Sequence, residues 1–288
     1  MNFTVEKDGF HGRLFPAGAN RCPGKCLILF GGSDGKFQET CGLARFYSEK
    51  GLDILALAFW NEEGLPKSFD RVPVEAIERA ARYLLSRGYE KAGVWGISMG
   101  GELALLAGSL MPELLSCVVA VNPMDVITQG FSYEGGLHML ETSAFGWRGE
   151  EFSYVRLELR PGRLVKESLK HLELSMRHVY DEGIAAGVPE EAWIRVENIG
   201  GPVLLLSAHD DRMWGSLEAC ERVKTRLREK GFSHQVRHLD YRYTSHMLYP
   251  IKTADRFAFA VERRHPGKCW RTKLQSAEDT MAFLKNVW

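Results

Sequence analysis

The sequence has 288 residues, in which 37 Lys and Arg balance 37 Asp and Glu, so the formal net charge is zero. Zero net charge argues against a dedicated nucleic-acid-binding protein, which usually carries a basic excess. Hydrophobic residues make up 45% and charged residues 26%, a mixture that excludes a wholly disordered chain. No apolar run approaches the ~20 residues that a membrane span requires. We therefore expect a single globular domain over 1–288 that binds neither nucleic acid nor a membrane.

The N-terminus and the cysteines indicate a cellular compartment. Residues 1–9 lack the basic start and apolar core of a signal peptide. We therefore expect a cytoplasmic protein whose six cysteines are reduced thiols. Only Cys22 and Cys26 lie close together, and no second cysteine pair completes a zinc site. We expect no metal and no redox cofactor.

Short apolar segments alternate with segments of helical spacing along the chain. The apolar runs predict strands buried on both faces, and the spacing of 3.6 residues predicts the helices between them. The predicted strands span 26–30, 53–59, 92–96, 117–121, 203–207 and 235–239. The predicted helices span 36–50, 72–87, 99–110, 217–230 and 276–287, the last with Ser276 as its N-cap. This alternation predicts an α/β fold with a mostly parallel central sheet and helices on both faces.

The interval 122–201 breaks the alternation. It is too long for a structureless loop in a compact domain. We interpret it as a cap inserted after the strand that follows the nucleophile helix described next. The cap is predicted to be partly helical over 164–177 and to lie over one end of the sheet.

The motif G-x-S-x-G occurs twice, and its context selects one serine as a candidate nucleophile. Residues 96–100 (Gly-Ile-Ser-Met-Gly) follow a predicted strand and open a predicted helix, as a nucleophile elbow does. Residues 31–35 (Gly-Gly-Ser-Asp-Gly) follow the first predicted strand, before the strands that should flank an elbow. We therefore predict that Ser98 is the nucleophile. The backbone N–H groups of Met99 and of the loop at Gly32 are predicted to bind the oxyanion.

A histidine and an aspartate complete the predicted constellation. An α/β-hydrolase places its triad in the order nucleophile, acid, histidine, and His246 lies just after the last predicted strand. Asp210 and Asp211 both follow the preceding strand. We choose Asp211, because the chain then turns into the helix near Ser216, and Asp210 is the alternative. Outside such a constellation, two aspartates after a strand usually form a turn or a helix cap. The three groups together predict nucleophilic catalysis through an acyl-enzyme.

The order of these motifs resembles the catalytic domain of the acyl-CoA thioesterase and bile acid-CoA:amino acid N-acyltransferase family. The resemblance starts at Cys26 and covers most of the chain. The matching segments are 29–32 (Leu-Phe-Gly-Gly), 56–61 (Ala-Leu-Ala-Phe-Trp-Asn), 96–102 (Gly-Ile-Ser-Met-Gly-Gly-Glu), 201–207 (Gly-Pro-Val-Leu-Leu-Leu-Ser), 210–214 (Asp-Asp-Arg-Met-Trp), His246 and 278–284 (Glu-Asp-Thr-Met-Ala-Phe-Leu). The resemblance implies an α/β-hydrolase domain whose triad is Ser98, Asp211 and His246.

The chain departs from that family in three ways. About 25 residues precede the first predicted core strand, so the N-terminal β-sandwich of family thioesterases is expected to be absent. Met99 stands where the family often has lysine. The long interval 122–201 contains little that matches the family. Separately, the amino-acid-conjugating branch typically uses a cysteine nucleophile, so Ser98 favours hydrolysis.

The resemblance implies an acyl-CoA thioesterase whose partner is a small acyl thioester or ester. A carboxylesterase or dienelactone-hydrolase-like esterase and an acyl-CoA:amino acid N-acyltransferase are the alternatives. The contrasting class is a non-catalytic ligand-binding protein on the same fold. Trp60 and Trp214, at predicted strand ends on the catalytic side, are candidate walls of a substrate pocket.

Basic residues of the predicted cap offer a site for the phosphates of coenzyme A. Their spacing fits one face of a helix, where arginine and lysine would bind phosphate. The alternative is a solvated helix face balanced by glutamates. The basic residues are Arg163, Lys166, Lys170 and Arg177, and the balancing residues are Glu167 and Glu173.

Overall fold

The computed structural model describes residues 1–18 and 22–288. The strands are β1 (Asn2–Phe3), β2 (His11–Phe15), β3 (Lys25–Phe30), β4 (Asp53–Ala58), β5 (Val72–Pro73), β6 (Lys91–Ile97), β7 (Leu115–Val121), β8 (Gln129–Ser132), β9 (His138–Ser143), β10 (Phe145–Trp147), β11 (Glu150–Glu151), β12 (Val203–Ala208) and β13 (Val236–Tyr241). The helices are α1 (Val5–Asp8), α2 (Phe37–Ser48), α3 (Glu75–Ser86), α4 (Met99–Leu110), α5 (Pro161–His171), α6 (Arg177–Ala186), α7 (Ser216–Glu229), α8 (Ala260–Arg264) and α9 (Pro266–Asn286). Short 3₁₀ turns cover Glu190–Ala192, Val196–Asn198 and Asp255–Ala258.

The main sheet has the strand order β1-β2-β4-β3-β6-β7-β12-β13. The pairs from β4 through β13 are parallel, whereas β1–β2 and β2–β4 are antiparallel. Parallel neighbours place the carboxyl ends of β3, β6, β7 and β12 at one edge of the sheet. The predicted α/β fold with a mostly parallel sheet is confirmed, and its topology is that of an α/β-hydrolase.

Apolar cores on both faces of the sheet hold the helices in place. In β3, Ile28 and Phe30 pack in the core that contains α3, α4 and α7. Leu27 and Leu29 point to the opposite face, toward α2 and α9. All four side chains are fully buried, which explains why the strand reads as a continuous apolar run. Among the described helices, none is long and apolar enough to cross a membrane.

Two predicted helix starts were wrong. The helix predicted from residue 72 begins at Glu75, because Val72–Pro73 forms β5 and pairs with β10. The last helix begins at Pro266 rather than at Ser276, and proline suits the first turn because its missing N–H has no partner there anyway. Ser276 lies inside this helix, where its Oγ donates to the carbonyl of Lys273 at 2.9 Å. It is therefore not an N-cap.

The interval 122–201 lies between β7 and β12 and carries its own small elements. Strands β8 and β9 form a hairpin, and β10 and β11 extend β5 into a second sheet. The interval is partly helical over 164–177, as predicted, but the helix is interrupted: α5 ends at His171, Leu172 is left-handed with φ 55°, and α6 starts at Arg177. The division of the chain into a core and a cap stays a prediction.

Candidate active site

Ser98 occupies a strained turn between β6 and α4. Its φ is 60° and its ψ is −127°, a conformation that costs a residue with a side chain on the order of 1–3 kcal/mol. The flanking glycines allow the turn. A Cβ at Gly96 would lie 1.9 Å from the carbonyl oxygen of Gly100, and a Cβ at Gly100 would lie 2.0 Å from that of Gly31. The motif therefore has the geometry of a nucleophile elbow.

The glycine loop after β3 packs directly against this elbow. The pairing of Phe30 with Gly96 sets the register of β3 and β6, so that residue 32 reaches Ser98. A Cβ at Gly32 would lie only 3.0 Å from the Cβ of Ser98. Met99 is the first residue of α4, so its N–H has no acceptor inside the helix. Both residues predicted for the oxyanion hole therefore lie beside the serine.

His246 is hydrogen-bonded to Asp211. Its Nδ1 lies 2.7 Å from Oδ2 of Asp211, and both side chains are buried. The carboxylate also accepts the Ser216 hydroxyl at 2.8 Å and the Met213 N–H at 2.9 Å. The alternative acid, Asp210, has a side chain that is 63% exposed. The fold thus brings Asp211, and not Asp210, against His246.

A small cavity opens at Ser98 and His246. Its volume is about 210 Å³, and most of its wall is apolar. Among the described residues, none forms a hydrogen bond with Nε2 of His246. The lining comprises Gly32, Ser33, Asp34, Ile97, Ser98, Tyr133, Leu174, Met213, His246, Met247, Tyr249, Ala258 and Phe259.

The two tryptophans predicted as pocket walls are not among these lining residues. Trp60 is buried behind the glycine loop, where its Nε1 donates to the carbonyl of Gly32 at 3.1 Å. The ring of Trp214 meets that of His246 edge-to-face at a centroid distance of 5.3 Å. Each tryptophan therefore supports a loop of the site instead of forming the wall of the cavity.

Comparison with known proteins identifies the family. Residues 72–253, more than half of the chain, match the sequence model of the family described as BAAT / acyl-CoA thioester hydrolase C terminal. The chain belongs to this family. The matched range contains Ser98, Asp211 and His246 and starts after the glycine loop at Gly32.

Relatives of this thioester hydrolase family match at low identity. Mouse acyl-coenzyme A thioesterase 1 is 26% identical over 71% of this chain and 44% of its own length. Mouse peroxisomal succinyl-coenzyme A thioesterase is 24% identical over 82% of this chain and 51% of its own length. Human mitochondrial acyl-coenzyme A thioesterase 2 is 29% identical over 70% of this chain and 39% of its own length. The chain thus spans about half the length, or less, of these curated relatives.

Solved structures with the same architecture are more distant in sequence. A structure of ferulic acid bound to Est1E from Butyrivibrio proteoclasticus has a TM-score of 0.55 at 13% identity, over 100% of this chain and 98% of that one. A structure of the DcsB complex with its substrate analogue has a TM-score of 0.57 at 12% identity, over 97% of this chain and 95% of that one. These similarities show the fold alone, which is that of the α/β-hydrolases.

Asn122, which the sequence analysis missed, connects the loops of the site. It follows β7 with φ 44°, a left-handed conformation that asparagine tolerates better than most residues. Its Oδ1 accepts the N–H of Ala208 at 2.7 Å, and its Nδ2 donates to the carbonyl of His246 at 2.8 Å. Its own carbonyl accepts Nε1 of Trp214 at 3.0 Å. One fully buried side chain therefore fixes the acid loop and the histidine loop together.

A buried ion pair lies beneath the histidine loop. Nζ of Lys273 is 2.7 Å from Oε1 of Glu262, and the two side chains are only 2% and 3% exposed. The same oxygen accepts the hydroxyl of Ser245 at 2.9 Å, and Ser245 Oγ accepts the N–H of Met247 at 3.2 Å. Burial lowers the pKa of Lys273, and the neighbouring carboxylate opposes this shift. The pair thus holds the residues on both sides of His246.

Glu102 is a second buried acid close to the elbow. It lies in the first turn of α4, is fully buried, and accepts the N–H of Thr128 at 2.9 Å. The hydroxyl of Thr128 donates to its other oxygen at 3.0 Å. Burial raises the pKa of Glu102 to about 8, so this side chain is mostly protonated at neutral pH. It ties the nucleophile helix to the segment that precedes β8.

The predicted basic face for coenzyme A phosphates is not a single face. Arg177 begins α6, where it pairs with Asp181 at 3.2 Å and also with Glu218. It is therefore separated from the basic residues of α5 by the break at 172–176. Those residues, Arg163, Lys166 and Lys170, lie on the exposed side of α5.

Proposed function

We propose that this chain is a serine hydrolase that cleaves acyl thioesters through Ser98, Asp211 and His246. The observation that carries the proposal is the 2.7 Å contact between His246 and Asp211, in a cavity that the imidazole shares with Ser98. The strained elbow at Ser98 supports it, because backbone strain of this kind is concentrated at functional sites. Membership of the thioester hydrolase family favours a thioester as the substrate.

The mechanism follows from the chemistry of these groups. Nε2 of His246 takes the proton of the Ser98 hydroxyl while Oγ attacks the acyl carbonyl carbon. Asp211 accepts the Nδ1 hydrogen bond, which sets the imidazole tautomer and stabilises the imidazolium that forms. The N–H groups of Met99 and Gly32 stabilise the oxyanion. The imidazolium then protonates the leaving thiolate, and a water molecule activated by His246 hydrolyses the acyl-enzyme.

The cavity limits the part of the substrate that can be enclosed. A volume of about 210 Å³ is below the ~300–1,000 Å³ typical of sites that enclose a drug-sized ligand. Side chains such as Leu174, Met213, Met247 and Phe259 suit an acyl chain. We therefore propose that a short acyl segment enters the cavity, while the rest of the substrate lies outside it.

Kinetic assays with two substrate series test this function. Acyl-CoA thioesters of increasing chain length and p-nitrophenyl esters are offered to the wild type, to Ser98→Ala and to Ser33→Ala. We expect thioester turnover that falls at least 10³-fold in Ser98→Ala, because the nucleophile is gone. Ser33→Ala, in the second G-x-S-x-G, should cost less than tenfold.

The alternatives give distinct results in the same assays. Turnover of esters alone would favour a carboxylesterase. Amide formation with glycine or taurine would favour an N-acyltransferase. A folded wild type that turns over neither series would contradict the proposal. The cytoplasmic location stays a prediction, since the names of two relatives place those proteins in peroxisomes and mitochondria.

A further inference from the structure

Large apolar side chains are exposed together on α5 and on the adjacent segments. On α5 and its C-cap, Val165 is 57%, Leu169 67% and Leu172 64% exposed. Leu174 is 40% and Phe257 is 50% exposed. We call these five residues the apolar face. A soluble monomer usually buries such side chains or spreads them singly, so a cluster of them indicates an interaction site.

The spacing on α5 produces three separate sides of the helix. Val165, Leu169 and Leu172 recur at intervals of four and three residues and therefore share one side. Lys166 and Lys170 each follow one of these residues in the sequence, Val165 and Leu169, and therefore lie on a second exposed side of the helix. The inward side consists of half-buried residues, namely Leu164, Glu167, Ser168 and His171. An apolar side next to a lysine side is the pattern of helices that lie in a membrane interface.

The apolar face continues to the mouth of the catalytic cavity. The N–H of Leu174 donates to the carbonyl of Ala258 at 3.1 Å, and both residues line the cavity. Arg263 donates to the carbonyls of Leu172 and Phe257, which joins the end of α5 to the segment at 255–259. A ligand that covers the apolar face therefore also covers the cavity entrance.

The charges around the apolar face are mainly basic, although the chain as a whole is neutral. Lys166, Lys170 and Arg163 are exposed on α5, and Arg263, which donates to the carbonyls of Leu172 and Phe257, is exposed beside them. Their acidic contacts are few. Lys170 lies 3.6 Å from a carboxylate oxygen of the inward Glu167, and Arg163 pairs with Glu182 of α6.

We propose that the apolar face docks on an anionic lipid surface, with Lys166 and Lys170 at the level of the head groups. A second copy of the chain is a poorer occupant, because a two-fold contact would bring the same lysines against each other. Composition alone led us to expect no membrane partner, since it does not reveal how side chains cluster on the folded surface. Docking would place the cavity mouth where amphiphilic acyl compounds are concentrated. The docking itself does not depend on hydrolysis.

Vesicle co-sedimentation tests the docking surface. The Ser98→Ala variant, which lacks the proposed nucleophile, is mixed with vesicles of phosphatidylcholine or of equimolar phosphatidylcholine and phosphatidylglycerol. We expect at least tenfold tighter binding to the anionic vesicles and weaker binding at high salt. Lys166→Gln/Lys170→Gln should weaken binding about fivefold per lysine. Lys230→Gln/Lys285→Gln makes the same change of charge elsewhere, at the end of α7 and on α9 respectively, and should leave vesicle binding unchanged.

A second variant removes two apolar side chains from the apolar face. Val165→Ser/Leu169→Ser should keep the melting temperature of the parent and lose more than tenfold in vesicle binding. Equal binding of this variant and its parent would overturn the proposal, as would the absence of binding to anionic vesicles. A dimer in sedimentation velocity that Val165→Ser/Leu169→Ser dissociates would also overturn it, in favour of a second copy. Hydrolysis by the wild type is measured separately, so a failure of docking and a failure of catalysis are distinguishable.

Discussion

Removal of the lysine from the buried pair beneath His246 should destabilise the protein strongly. In Lys273→Met the carboxylate of Glu262 keeps its buried position, 3% exposed, and loses the ammonium group at 2.7 Å. Breaking a buried pair from one side costs about 3–5 kcal/mol, because an uncompensated charge is left in the interior. We expect the free energy of unfolding, measured by urea denaturation with tryptophan fluorescence, to fall by that amount.

A double variant separates stability from catalysis. Lys273→Met/Glu262→Leu replaces both charges by apolar groups of similar size, so its stability should return to within about 1 kcal/mol of the wild type. Ser245 then has no carboxylate to donate to, and the loop on both sides of His246 loses its anchor. We expect kcat to fall roughly tenfold or more in the stable double variant, since displacing a catalytic group is costly.

Two results would refute this reasoning. The first is a free energy of unfolding of Lys273→Met within about 1 kcal/mol of the wild-type value, which would mean that removing the lysine leaves no uncompensated charge on Glu262. If the double variant is as active as the wild type, Ser245 and Glu262 do not position His246. Ser245→Ala, which leaves the ion pair intact, is the matched control and should reduce kcat while changing stability much less.

Three further changes test the elbow, the acid and the buried glutamate. Gly100→Ala should abolish activity and destabilise the fold by several kcal/mol, because its Cβ would lie 2.0 Å from the carbonyl oxygen of Gly31. Gly267→Ala is the control: nothing lies within 4 Å of a Cβ at this position, so it should be neutral in the same thermal and kinetic assays. Asp211→Asn should lower kcat/KM on the order of 10⁴-fold and Asp210→Asn less than threefold, and the reverse order would reassign the acid. Glu102 should lower the stability of the wild type relative to Glu102→Gln as pH rises from about 4.5 to about 8, because its folded-state pKa lies above its unfolded value. Urea unfolding of both proteins across this range measures the difference, and a difference that does not change with pH would contradict the assignment.

Local sequence patterns predicted the helix whose ends are marked by residues next to it in the sequence. The helix that starts at Met99 matches its predicted bounds, because the elbow motif marks where the strand ends and the helix begins. The start of α9 was missed, because Pro266 and Gly267 resemble a turn unless the helix that follows them is recognised.

The contacts that support the candidate site could not be predicted in the same way. Asn122 bonds the main chain of His246, 124 positions away, and the hydroxyl of Ser216, 94 positions away. The partners in the buried ion pair, Glu262 and Lys273, look like solvated charges in the sequence. Such contacts depend on which strands and helices become neighbours in the folded chain, and no local pattern encodes that.

Covalent labelling tests most directly whether Ser98 is an activated nucleophile. Folded wild type is treated with a fluorophosphonate probe at neutral pH, and the adduct is located by peptide mass spectrometry. We expect one adduct at Ser98, absent from Ser98→Ala and formed much more slowly in Asp211→Asn. Labelling at Ser33 instead, or no labelling of the folded protein, would contradict it.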